Sequence, residues 1–247
     1  MIIAANWKAY VEDVERAKKL VAAAKRLARS GTHQIILAPP SVFLGLLASG
    51  NHSAVAFSAQ DVSRTTGGAQ TGENTAQAFV VAGATHAIIG HSERRAMGDT
   101  NAIVSEKLAH ALAQGLTPIL CIGERERDEE SHYLSFVREE IETAFAPLSS
   151  KERQRIMLAY EPIWAIGKTA SEAMRPDELV EMVLYIRKVL TQYLPGKAAT
   201  NISILYGGSV EPENIRALAG ESQVDGFLIG HASVEVHSFE ALVKELA

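Results

Sequence analysis

Short apolar runs alternate with longer stretches of helical periodicity along the chain. The runs are Ile2–Ala5, Gln34–Ala38, Ala54–Ala59, His86–Ile89, Thr117–Cys121, Ile156–Tyr160, Ile202–Tyr206 and Val224–Ile229, each of strand length. After the first, Val14, Ala17, Val21, Ala24 and Ala28 recur at intervals of three and four, with Glu15, Lys19, Lys25 and Arg26 on the other side, which predicts an amphipathic helix. Pro176-Asp177-Glu178 reads as a helix start ahead of Leu179–Leu194, with proline early and acids in the first turn. Strands regularly separated by helices predict parallel strands joined by crossover helices.

No Pro/Gly/Ser-rich linker and no shift in composition interrupts the alternation, so residues 1–247 read as one domain. Two architectures fit eight such units. An open doubly wound sheet would usually carry a glycine-rich dinucleotide fingerprint after its first strand. Here Asn6-Trp7-Lys8 follows that strand, and the glycine pairs come late. The remaining choice is a single-domain (β/α)8 barrel of eight parallel strands with outer helices, at about 31 residues per unit.

Composition narrows the function classes. The 24 Lys+Arg against 29 Asp+Glu leave a net charge of −5, which argues against general binding to nucleic acid or an anionic membrane. A 47% hydrophobic content supports a full core and argues against disorder. The lone cysteine, Cys121, cannot form an intramolecular disulfide, which suggests a reducing compartment. The amino terminus lacks a basic leader and an apolar run long enough for a signal sequence, and no stretch approaches the roughly 18 apolar residues of a membrane span. The expected location is the cytoplasm.

In a barrel, the residues that follow the strands converge on one mouth. Asn6 and Lys8 follow the first strand, His91 and Glu93 the fourth, and Glu161 the sixth; Gly207-Gly208-Ser209 and Gly230 end the last two. Each alone has a plain reading: a solvated lysine, a turn-capping glutamate, a satisfied core histidine. Together they supply a carboxylate base, an imidazole donor and a fixed cation, the groups needed to move a proton beside a carbonyl. The late glycines add bare backbone N–H groups suited to a phosphate dianion. The residues therefore point to enolisation of a phosphorylated hydroxy-carbonyl compound.

Four segments carry a family resemblance: Asn6-Trp7-Lys8, Ile88-Ile89-Gly90-His91-Ser92-Glu93-Arg94-Arg95, Ala159-Tyr160-Glu161-Pro162-Ile163-Trp164-Ala165-Ile166-Gly167 and Tyr206-Gly207-Gly208-Ser209-Val210. In sequence and order they resemble the triosephosphate isomerase family. The resemblance implies cofactor-free interconversion of dihydroxyacetone phosphate and glyceraldehyde 3-phosphate. It also implies Glu161 as the proton carrier, His91 as the neutral electrophile, Lys8 as the cation beside the enediolate and Asn6 as a holder of substrate oxygens. Glu93 would pair with Lys8 or relay a proton. Gly167, Ser209, Gly208 and Gly230 match phosphate-contacting positions, and His231 joins them by its place after Gly230.

Departures from the family pattern set further expectations. Gly167 is followed directly by Lys168-Thr169-Ala170, a lid two residues shorter than usual, at an expected cost on the order of 1 kcal/mol for one lost hydrogen bond. His231 replaces a glycine, and would be strained if its φ were positive. Ala9-Tyr10 and Gln70 also differ, although Thr71 and Glu73 still match, so the resemblance implies a homodimer through the 66–74 loop. The mixed-sign run Glu124–Glu130 reads as a solvated helix start, Cys121 as packing, and Trp164 as an anchor of the lid. No metal is expected, since no His/Cys/carboxylate set has ligand spacing. The altered lid leaves an isomerase of a four-carbon ketose phosphate, such as an erythrulose phosphate, as an alternative. A phosphate-binding barrel without catalysis is a third, opposed by the retention of Lys8, His91 and Glu161.

Overall fold

A computed structural model describes residues 1–168 and 173–246. Its eight strands are β1 (Ile2–Asn6), β2 (Gln34–Ala38), β3 (Ala56–Ala59), β4 (His86–Ile89), β5 (Thr117–Ile122), β6 (Met157–Tyr160), β7 (Ile204–Tyr206) and β8 (Gly226–Ile229). They pair in sequence order, all parallel, and β8 returns to β1 to close the barrel. Each apolar run locates its strand: β1 and β5 extend one residue past their runs, to Asn6 and Ile122, whereas the runs at β3, β6, β7 and β8 begin earlier than the pairing does. Val55, Ile156, Ile202 and Val224 are buried in the approach to those strands, so burial extends their apolar pattern beyond the paired residues.

A helix covers the barrel after each strand. Val14–Ala28 has the predicted bounds; Asp13 caps it by accepting from Glu15 N at 2.7 Å, and Ala17, Leu20, Val21 and Ala24 face the barrel. The helix predicted over Leu179–Leu194 begins at Pro176 and ends at Leu190, where Thr191 closes it. The main core lies between strands and helices. A second, smaller core of Ala4, Ile36, Ala38, Ile88, Ile119, Cys121, Ala159, Leu205 and Leu228 fills the barrel interior.

Because side chains on a strand alternate in direction, the inward positions predict which residues enter the mouth two steps later. Ala4 is followed by Asn6, Cys121 by Gly123, Ala159 by Glu161, Leu205 by Gly207 and Leu228 by Gly230. Cys121 is thus a packing residue, as read, and burial together with the Glu161 charge raises its thiol pKa well above the usual value. Among the described residues, no helix is long and apolar enough to cross a membrane.

Candidate active site

Glu161 leaves the end of β6 only 2% exposed, so its carboxylate can survive there only with donors around it. Its Oε2 accepts from the backbone N–H of Ser92 at 3.2 Å, and its Oε1 lies 3.2 Å from His91 Nε2. Room for it comes from both neighbouring strands. A Cβ on Gly123 would stand 2.0 Å from the Glu161 carbonyl oxygen, and one on Gly207 would stand 2.8 Å from its Cγ.

His91, also buried, caps the short helix Ser92–Ala96. Its Nδ1 accepts from Glu93 N at 3.2 Å. A ring nitrogen that accepts a hydrogen bond carries no proton, so the heavy-atom geometry assigns a neutral imidazole with its proton on Nε2, facing Glu161. The helix start thereby sets the tautomer of the ring it carries.

Lys8 has φ +46°, in the left-handed region that a residue with a Cβ enters at a cost of ~1–2 kcal/mol. Three contacts hold it there: its N–H donates to Asn6 Oδ1 at 3.0 Å, while Gln60 Nε2 donates to the carbonyls of Lys8 and Ala38 at 2.8 and 2.9 Å. The turn aims the ammonium at Glu93 Oε1, 3.2 Å away, and lays its stem across Gly230. Glu93 reaches the ion pair from an exposed position. Asn6, Lys8, His91, Glu93 and Glu161 thus form one connected group.

Gly208 and Ser209 follow β7, and Gly230 and His231 follow β8. Gly208 lies against the Tyr206 ring; a Cβ there would come within 2.2 Å of the phenol oxygen. Ser209 is buried, and its carbonyl accepts from Asn214 Nδ2 at 3.1 Å. His231 does not have positive φ, so the expected strain is absent; it opens the helical turn His231–Ser233. Its exposed imidazole meets the Tyr10 ring edge-on, with centroids 5.8 Å apart. Gly167 is exposed with φ +71°, at the edge of the described residues. Thr169 and Ala170, on which the shortened lid rests, lie outside them.

A chamber of about 600 Å³ adjoins the site on its Asn6, Lys8, His91 and Glu93 side, walled by residues of the 60–74 segment. Glu161 and the β7 and β8 glycines do not line it.

The run Glu124–Glu130 corrects the expected solvated helix start. Glu124 is 1% exposed, and the helix begins only at His132. The Glu124 carboxylate accepts from the Tyr160 hydroxyl at 2.8 Å, Trp164 Nε1 at 2.9 Å and Arg127 Nε at 3.2 Å. Burial and the adjacent Glu124 charge push the Tyr160 phenol well above its ordinary pKa, which keeps it a donor. Charge type alone could not show that the first acid of the run turns inward. Further along, Asp128, Glu130 and His132 place donor atoms within 4.8 Å of one another, closer than the sequence reading foresaw, on a mostly exposed rim where His132 faces both acids.

The sequence reading also missed Gln60 and Arg16. Gln60 is the polar residue directly after β3, the same signal that drew attention to Asn6 and Glu161. Arg16 carried no signal, being one charge on a helix. It donates to the carbonyls of Val234, at 2.9 and 3.1 Å, and Tyr10, at 3.3 Å, and so ties the β1 loop to the β8 loop where Lys8 crosses Gly230.

A closed parallel barrel with a buried carboxylate, a buried imidazole and a half-buried ammonium at its carboxyl-end mouth defines the class of (β/α)8-barrel enzymes. A sequence model of the family described as triosephosphate isomerase matches residues 1–246. The triosephosphate isomerase of Geobacter metallireducens is 40% identical over 253 residues, covering 98% of this chain and 97% of that protein. That of Pelobacter propionicus is 39% identical over 256 residues, with 98% and 97% covered. That of Flavobacterium johnsoniae is 34% identical over 248 residues, with 99% and 98% covered. The chain belongs to the triosephosphate isomerase family.

Proposed function

We propose that residues 1–247 form one catalytic barrel that interconverts dihydroxyacetone phosphate and glyceraldehyde 3-phosphate through an enediolate. The observation that carries this is the contact of a buried carboxylate with a neutral imidazole, Glu161 Oε1 to His91 Nε2 at 3.2 Å. Substrate entering between them breaks that contact and gives each group a substrate atom. Glu161 takes the proton from the carbon beside the carbonyl and returns it to the neighbouring carbon. The N–H of His91 donates to the oxygen on which charge develops, Lys8 stabilises that charge, and Asn6 orients the oxygens. Glu93 holds the Lys8 ammonium in place. The backbone groups of Gly167, Gly208, Ser209, Gly230 and His231 take the phosphate. A net charge of −5 does not oppose this, because Lys8 and oriented N–H groups make the mouth locally positive.

The protein acts as a homodimer through the 66–74 loop. In support, helix Ser41–Ala48 exposes Val42 and Leu46, and helix Ala76–Val81, directly after the loop, exposes Val81. The two helices meet at Gly45 and Ala82. Exposed apolar side chains on two adjoining helices are suited to burial against a second copy. Sedimentation at micromolar concentration is expected to give twice the chain mass; a monomer would refute the dimer.

Side-by-side turnover of glyceraldehyde 3-phosphate and tetrulose phosphates tests the activity. The three-carbon substrate is expected to lead in kcat/KM. A tenfold preference for the four-carbon substrate, ~1.4 kcal/mol in transition-state binding, would overturn it.

A further inference from the structure

Beneath the mouth lies an acid that the proposed chemistry does not use. Glu140, on the inner face of helix His132–Phe145, has a side chain with no solvent exposure. Its Oε2 accepts from Gly123 N at 2.8 Å, and its Oε1 faces Arg95 Nη2 at 3.3 Å with no hydrogen-bond partner among the described residues. Neither contact is local packing alone. Gly123 is the residue on which the Glu161 carbonyl closes. Arg95 donates to the carbonyl of Gly90, the residue before His91, at 2.8 Å, to Asn101 Oδ1 at 2.7 Å and to the carbonyl of Cys121 at 3.4 Å. One carboxylate thus touches the supports of both halves of the proton-transfer pair.

We infer that Glu140 is a positioning residue for the isomerisation: through Arg95 and Gly123 it fixes the ends of β4 and β5, and hence the separation of His91 from Glu161. This rests on the assignment of those two residues under Proposed function. The carboxylate form makes the arrangement, since it accepts from Gly123 with one oxygen and balances Arg95 with the other. The protonated form keeps the first contact and loses the charge of the second. The groups that act on this titration are Arg95, which favours the charged form, and the Glu161 and Glu124 carboxylates, which oppose it; the Cys121 thiol also lies within the field of Glu140. Burial is the largest influence and moves the pKa up to about 7. The support therefore changes charge within the working range of an enzyme.

The test compares wild type with Glu140→Gln, which has the shape of the protonated acid and still accepts from Gly123. In alkaline buffer we expect kcat to fall on the order of tenfold with KM changed less than twofold, because misplacement of reacting groups affects chemistry more than binding. The deficit closes as the pH drops below about 7, where wild type itself carries the neutral acid. A purely structural role would lower activity by the same factor at every pH. Arg95→Lys, which keeps the charge but loses the planar fork, provides a second variant and is expected to lose kcat similarly. The double variant should lose no more than the worse single. A Gln variant with wild-type kcat throughout, a deficit independent of pH, or additive losses would overturn the inference. Wild-type turnover in the same series separates the two readings: an inactive wild type refutes the isomerase assignment, whereas an active wild type with an unaffected variant refutes this inference alone.

Discussion

Glu161 and His91 lie in contact across the barrel mouth, and one short helix serves both, its Ser92 N–H donating to the carboxylate and its Glu93 N–H donating to the imidazole. Carboxylate position and imidazole tautomer thus have a common origin. For Glu161→Gln, kcat is expected to fall by ~10²–10⁴ in a steady-state isomerase assay, the usual contribution of a general base. Retention within tenfold would remove Glu161 from that role.

The strained Lys8 is held partly by Gln60, whose amide reaches two carbonyls. Gln60→Ala removes both donors and should lower stability by ~1–3 kcal/mol in urea unfolding. It should also raise KM, because the ammonium no longer has a fixed place. Unchanged KM would show that the Glu93 ion pair alone sets the Lys8 position.

Glu124 gathers Tyr160, Trp164 and Arg127 at the root of the segment that follows β6. Glu124→Leu leaves three donors without their acceptor, and a loss of ~3–5 kcal/mol is expected from breaking a buried charged group of this kind. The intrinsic fluorescence of Trp164 should change with it. A variant within ~0.5 kcal/mol of wild type would restore the solvated reading of the run.

Two buried groups pull stability in opposite directions with pH. Burial lowers the His86 pKa from 6.5 to about 4, so the unfolded chain binds the extra proton and stability is lost as pH falls from about 6.5 towards 4. Burial raises the Glu140 pKa from 4.5 to about 7, so the folded chain binds the extra proton and stability is lost as pH rises from about 4.5 to 7. Each shift corresponds to about 3 kcal/mol, and in the shared window the two nearly cancel. Urea unfolding at fixed protein concentration between about pH 5 and 6.5 should show Glu140→Gln gaining stability with rising pH and His86→Gln losing it, relative to wild type. Parallel curves for all three would contradict both assignments.

Much of this was legible in order along the chain. Apolar runs located every strand, and placement after a strand end picked out Asn6, Lys8, His91 and Glu161, because closure of a parallel barrel converts sequence periodicity into proximity. Gln60 obeys the same rule but stands in no segment that carries the family resemblance, unlike the equally uncharged Asn6. Glu124, Glu140 and Arg16 were not legible, since their significance lies in which residue of another element they face. A charged residue on a helix reads as solvated until the neighbouring strand is known to offer it a donor.

The two glycines beside Glu161 have a consequence for redesign. The base occupies space that the adjoining strands leave empty, so its site is shared among three strands rather than owned by β6. Transplanting the base to another strand would require a glutamate together with glycines at the facing positions on both sides. A single substitution that supplies only the acid would drive it into the Cβ atoms of its neighbours.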